Sequence, residues 1–182
     1  MVKLLRHTAV AKQWQGRCYG VIDAGLSTEG IAAARALAKG MVGITRIQAS
    51  PLRRAKFLGA LLSRQLGLPL EIVPALCERD FGVWEGQSWD TIYAAEGDAM
   101  MGMIDAPASF RPGGGETTEE LAQRVFRWYT HLSPESGCLA VTHGGPIAAI
   151  RGILAELPVR DWPGLVPAVG KAVCLPSQQP TH

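Results

Sequence analysis

Two histidines stand at the ends of apolar runs: Val2-Lys3-Leu4-Leu5 leads into Arg6-His7, and Cys138-Leu139-Ala140-Val141-Thr142 leads into His143-Gly144-Gly145. An ionised group at the mouth of a buried strand must be paired or must bind something of opposite charge, because removing it from water is costly. A guanidinium fork beside an imidazole suits a small anion. A lone histidine in such a place is more often structural, but the adjacent Arg6 and the second strand ending at His143 point to one shared site. Arg54, in Ser50-Pro51-Leu52-Arg53-Arg54-Ala55, reads as part of a first helical turn. Alone it would be a solvated cation; its position aims the positive end of a helix dipole at the same strand edge. Glu78 reads equally well as a surface partner of Arg79. Asp23, Glu85 and Glu116 read as caps or turn residues as readily as pocket members, and His131 and His182 read as bystanders.

The elements that must position these residues alternate. Strand-like runs cover Val2 to Arg6, Arg46 to Ala49, Leu70 to Val73, Cys138 to Thr142 and Ala172 to Leu175. Ser27 is the expected N-cap of a helix that buries Ile31, Ala34, Ala38 and Met41. Ser50 is the expected N-cap of the next, with Pro51 in its first turn, a stripe of Ala55, Leu58, Leu62 and Leu66, and Gly67 as its stop. Thr117-Thr118-Glu119-Glu120 has capping-box spacing before Leu121, Val125, Trp128 and Leu132. A last helix is expected to carry Ile147, Ile150, Leu154 and Leu157. Strand and helix in alternation imply an α/β fold, a three-layer α/β/α sandwich with a mainly parallel central sheet, whose ligands gather at the carboxyl ends of the strands.

At 182 residues, 47% apolar and 19% charged, the chain is expected to form a single domain over 1–182. Residues 78–116, interrupted by glycine and proline, read as an excursion that covers the site, with a short helix around Trp89 to Ala95; 176–182 reads as a flexible tail. The Gly113-Gly114-Gly115 run lacks the GK[ST] of a phosphate-binding P-loop. A net charge of +2 with no basic block argues against nucleic acid. The N-terminus lacks signal-peptide character and no apolar stretch spans a bilayer, so a cytoplasmic protein without membrane contact is expected. Cys18, Cys77, Cys138 and Cys174 show no CxxC spacing, and most are expected to be small buried hydrophobes.

Five ordered blocks, Leu5-Arg6-His7-Thr8, Ala49 to Ala55, Leu76 to Gly86, Pro112 to Glu116 and Val141 to Gly145, together resemble the histidine phosphatase superfamily, which includes the cofactor-dependent phosphoglycerate mutases. Residues 16–30 with the Phe81-Gly82-Val83-Trp84-Glu85-Gly86 block are most similar to its α-ribazole phosphatase branch. The resemblance implies a phosphoglycerate-mutase-like fold and hydrolysis of a small phosphorylated metabolite without metal or cofactor. It makes His7 the nucleophile that forms a phosphohistidine, places Arg6, Arg54 and His143 around the phosphate, and makes Glu78 the proton donor. Arg17, Tyr19 and Glu116 would contact the rest of the substrate, with α-ribazole 5'-phosphate of cobalamin lower-ligand assembly as the expected substrate. A broad sugar-phosphate or nucleotide phosphatase, a mutase-like phosphotransferase and an inactive phospholigand-binding module are the alternatives; the oligomeric state is open, with a homodimer as one option. One departure stands out: the family usually has glycine where this chain has Thr8, which would either narrow the pocket or add a hydroxyl donor to the phosphate.

Overall fold

The structure is a computed structural model and describes residues 1–39, 41–133 and 137–176. Five strands form one sheet: β1 (Val2–Arg6), β2 (Arg46–Ala49), β3 (Leu70–Ile72), β4 (Cys138–Thr142) and β5 (Ala172–Leu175), in the order β3-β2-β4-β1-β5. β1 to β4 pair in parallel; only β5 runs antiparallel, on the β1 edge. Side chains alternate across the pleat. Leu4, Cys138 and Ala140 therefore enter one core, and Leu5, Leu139 and Val141 the other.

Helices cover both faces, giving the three expected layers. On one side lie α1 (Thr28–Ala38) and α2 (Arg53–Leu66), packed through Ala34, Ala38, Ala55, Leu58 and Leu62. After α3 (Trp89–Glu96) and α4 (Gly102–Asp105), the other face is closed by α5 (Thr118–Thr130) and α6 (Gly144–Leu154), through Leu121, Val125, Trp128, Ile147 and Ile150. Two of the three caps named from polar side chains hold: Ser27 Oγ accepts from Gly30 N–H at 2.9 Å, and Thr117 and Glu120 form the reciprocal capping box of α5. Gly67 ends α2 at φ +66°.

Several boundaries move. α2 begins at Arg53 with Leu52 as its N-cap, so neither Ser50 nor Pro51 belongs to it. Met41 lies beyond α1, Val73 beyond β3 and Leu157 beyond α6. Of the cysteines only Cys18 and Cys138 are buried; Cys77 is half-buried and Cys174 exposed. The expected flexible tail falls, from residue 177 on, outside the described residues, and His182 with it.

The 78–116 segment carries a small core of its own, in which Trp84 and Ile92 pack with Cys18, flanked by Phe81, Trp89, Met103 and Phe110. Its two ends cross closely: Glu116 N–H donates to Asp80 carbonyl at 2.8 Å, and a Cβ on Gly113 would overlap the Phe81 carbonyl. Gly113 (φ +56°) and Gly82 (φ +54°) supply backbone that other residues rarely adopt at this crossing. No helix among the described residues is long and apolar enough to cross a membrane.

Candidate active site

Sheet register places the two histidines. Arg6 pairs with Thr142 and Ala49 with Val141, so the residues that follow leave three adjacent parallel strands at one level. His7 N–H donates to Thr142 carbonyl at 3.0 Å and Ser50 N–H to Val141 carbonyl at 3.0 Å. The His7 and His143 rings then lie 5.2 Å apart, inclined by 58°. His7 Nδ1 faces the Thr8 carbonyl at 2.7 Å. A carbonyl only accepts, so Nδ1 carries the proton and Nε2 keeps its lone pair. Burial pushes the His7 pKa down to about 3 against the opposing effect of that bond, and Arg54 and Arg6 push it the same way as burial. His143 lies well below the ordinary histidine range for the same first reason, with Arg54 and His7 adding to it. Its Nε2 meets Ser50 Oγ at 2.8 Å. The same oxygen accepts from Leu52 N–H at 3.3 Å, so Ser50 turns the chain ahead of α2 while facing His143, and the sequence held no signal for the second role beyond a serine at a strand end.

Two arginines flank the imidazoles, each anchored and each with an N–H left over. Arg6 donates to Pro167 carbonyl at 2.7 Å. Arg54, 0% exposed, donates to the carbonyls of Ile22 at 2.7 Å and Gly20 at 2.5 Å. The loop that offers those carbonyls is tied down by Glu85, whose carboxylate accepts from the N–H groups of Val21, Ile22 and Phe81. Among the described residues, the buried side-chain nitrogen and oxygen atoms without a partner are Arg6 Nε, Thr8 Oγ1, Arg54 Nε and His143 Nδ1. Leaving one such group unsatisfied costs about 1–3 kcal/mol. Four gathered around one neutral imidazole are polar atoms that a small anion could satisfy. Thr8 belongs to this set, and its φ is not positive, so a residue with a side chain is accommodated where the family has glycine.

Glu78 sits at the start of α6, where its carboxylate accepts from Gly145 N–H at 3.1 and 3.3 Å and from Arg79 N–H at 2.9 Å. A Cβ on Gly145 would overlap that carboxylate, which explains the second glycine after His143. Arg124, a residue with no distinguishing sequence signal, holds the Glu78 backbone: its guanidinium donates to the carbonyls of Ala75, Cys77 and Glu78 at 2.7–3.0 Å. Glu116 gives both oxygens to Arg124, at 2.6 and 2.9 Å, so its place is that of a brace behind Glu78 instead of the substrate contact expected from sequence. Tyr19 lies with its ring centroid 5.0 Å from the Arg54 guanidinium, one of the two that flank the histidines. Arg17 is exposed and donates to Gly86 carbonyl at 2.8 Å. Asp23 accepts from Arg53 N–H at 2.6 Å, capping α2. His131 is an exposed residue bonded within its own helix end. Among the described residues no three His, Cys, Asp or Glu side chains gather to hold a metal ion.

The depressed histidines make the fold sensitive to acid. An unfolded chain would protonate them near 6.5, the folded one only near 3 for His7, so their contribution is complete above pH 6.5 and is lost as pH falls toward 3. At about 1.4 kcal/mol per tenfold change in proton affinity, His7 alone contributes on the order of 5 kcal/mol. Urea denaturation between pH 7.5 and 4 is expected to show a falling midpoint, with a shallower fall in His7→Gln.

Comparison with known proteins bears on what this site is. A family model described as histidine phosphatase superfamily (branch 1) matches residues 2–174. Glucosyl-3-phosphoglycerate phosphatase of Mycobacterium tuberculosis is 30% identical over 177 residues, covering 89% of this chain and 78% of that protein. The solved structure of a mycobacterial glucosyl-3-phosphoglycerate phosphatase superposes with a TM-score of 0.83 at 30% identity, covering 94% and 87% of the two chains. The α-ribazole phosphatase of Shigella flexneri shares the fold (TM-score 0.80, 94% and 87% covered) at 23% identity. With the match running from the first strand almost to the end of the last, and through both histidines on the shared sheet edge, the chain belongs to the histidine phosphatase superfamily.

Proposed function

We propose that the chain is a metal-independent phosphomonoester hydrolase working through a phosphohistidine at His7. The observation that supports this most is the set of unpartnered polar atoms on Arg6, Thr8, Arg54 and His143 around a neutral, fixed imidazole. His7 Nε2 attacks phosphorus and the bond from phosphorus to the ester oxygen breaks, while the Arg6, Arg54, His143 and Thr8 donors offset charge on the remaining phosphoryl oxygens. Glu78 gives its proton to the departing oxygen. Water then attacks the phosphohistidine and passes a proton to Glu78, phosphate departs, and the Nε2 lone pair is restored. Phosphatase-named relatives support hydrolysis over transfer, although a 2,3-bisphosphoglycerate-dependent phosphoglycerate mutase of Methylobacterium radiotolerans is 29% identical over 177 residues. α-Ribazole 5'-phosphate, expected from sequence, has less support, since its phosphatase is similar at 23% identity and so speaks for the fold alone.

Steady-state hydrolysis of glucosyl-3-phosphoglycerate, α-ribazole 5'-phosphate, 3-phosphoglycerate and p-nitrophenyl phosphate, with chelator present, tests the reading. His7-dependent phosphate release supports it; isomerisation of phosphoglycerate without release, or binding without turnover, overturns it in favour of a mutase or a binding module. Arg54→Lys is expected to lower kcat/KM by roughly 10²- to 10³-fold, because a single nitrogen lacks the planar fork that reaches the Gly20 and Ile22 carbonyls from separate nitrogens while Nε is left for the phosphate. Inhibition by inorganic phosphate should weaken in parallel.

A further inference from the structure

Glu78 stands on a border between two environments. Behind it lie Arg6, His7, Arg54 and His143; ahead of it opens a hollow of about 390 Å³ whose walls include Phe81, Trp89, Met103, Leu121, Trp162 and Val166. The two adjoin at Glu78 and the Gly144-Gly145 turn. Gly145, whose N–H holds Glu78, lines the hollow, and a Cβ on the neighbouring Gly144 would lie 3.0 Å from Val166 and 3.5 Å from the Arg6 guanidinium. The hollow therefore starts where an ester oxygen protonated by Glu78 would sit.

Its chemistry is one-sided. Apart from Glu78, the charged residue on its wall is Arg79, which donates to Thr118 Oγ1 at 2.9 Å and lies over the Phe81 ring at 5.8 Å. The Thr118 hydroxyl in turn donates to Met103 carbonyl at 2.6 Å. A second anionic group would meet one cation, whose Nη1 already donates to Thr118, and a polyhydroxyl body would meet walls that are mostly aromatic and aliphatic, with few polar groups to bond it.

Resting on the phosphohistidine reading above, we propose that the substrate is a phosphomonoester whose alcohol carries an aromatic or otherwise apolar body, seated in this hollow with its ester oxygen at Glu78. Burial of the apolar body against Phe81, Trp89 and Trp162 supplies the preference, while the phosphate pocket supplies the anchor common to all esters.

The test compares primary alkyl esters, so that leaving-group acidity does not decide the outcome: 2-(1-naphthyl)ethyl phosphate, glycerol 1-phosphate and 3-phosphoglycerate, each with wild type, His7→Ala and Ile104→Lys. Wild type is expected to favour the naphthyl ester in kcat/KM by roughly 30-fold or more, the scale set by burying a bicyclic ring. Ile104→Lys, which puts a cation on the wall of the hollow, should cut that ratio at least fivefold. Quenching of tryptophan fluorescence by 2-(1-naphthyl)ethanol should saturate in both wild type and His7→Ala, independent of turnover. His7-dependent hydrolysis with equal rates, or with glycerate preferred, overturns the apolar seat and leaves the phosphatase standing. Absence of His7-dependent turnover of every ester overturns the phosphatase reading and this proposal with it.

Discussion

His7→Ala loses turnover of phosphomonoesters by at least roughly 10⁴-fold, the scale on which removal of a nucleophile leaves only binding and charge stabilisation. No neighbour can take its place. His143, 5.2 Å away, accepts from Ser50 at Nε2 in the proposed mechanism and carries its proton on Nδ1, where it donates and cannot attack, and the arginines are not nucleophiles. His7 Nε2 is available because the other ring nitrogen is fixed on the Thr8 carbonyl, and the ring stays neutral through the physiological range because it is 2% exposed. The variant should fold, since its side chain lies past the end of β1 and outside both cores. Rapid quench with a ³²P-labelled ester should give an acid-labile, alkali-stable label in wild type and none in His7→Ala at matched circular dichroism. A label that survives the substitution moves the nucleophile elsewhere and ends the assignment.

How much of this was legible in the sequence depends on how local each signal was. Strand ends follow from apolar runs, and two strands ending in histidine made Arg6, His7 and His143 visible as a group, whereas the β1–β4 register that joins them came from the structure. α5 was visible through Thr117 and Glu120, because a capping box is complete within four residues. Ser50 misled for a related reason: a serine before proline reads as a cap, yet its hydroxyl also faces His143, 93 residues away. Arg124 was invisible in the same way, and Glu85, readable as a cap or turn residue, gave no sign of which turn it holds. Each holds backbone groups from distant segments, and such contacts have no spacing that a linear pattern can display. Glu116 reads as a pocket residue until Arg124 is seen to hold both its oxygens. The apolar hollow was the hardest to foresee, since its walls are drawn from the excursion, α5, α6 and residues 159–166, and Trp or Leu in such segments looks like core.

Glu78→Gln should separate the two chemical steps. The amide keeps an oxygen for the N–H groups of Gly145 and Arg79, which now bond the carboxylate at 3.1 and 2.9 Å, so geometry is retained and only the transferable proton is lost. With an alkyl ester, whose oxygen must be protonated to leave, kcat is expected to fall by about 10²- to 10⁴-fold. With p-nitrophenyl phosphate, whose phenolate leaves unaided, formation of the phosphohistidine should slow by less than about 10-fold, because general-acid help is worth little to a good leaving group. Hydrolysis of the phosphohistidine still lacks a base for the attacking water. Stopped-flow absorbance should therefore show a burst of one nitrophenolate per enzyme followed by a slow steady state, with labelled enzyme accumulating. Equal losses for both esters and no burst would mean that Glu78 orients the phosphate instead of serving the leaving group. Arg124→Met offers the control on positioning: the carboxyl remains but the 75–78 backbone that carries it loses three anchoring bonds, one of them to Glu78 itself, so both esters should lose activity together and no nitrophenolate burst should appear, whereas Glu78→Gln should separate the two esters and give the burst.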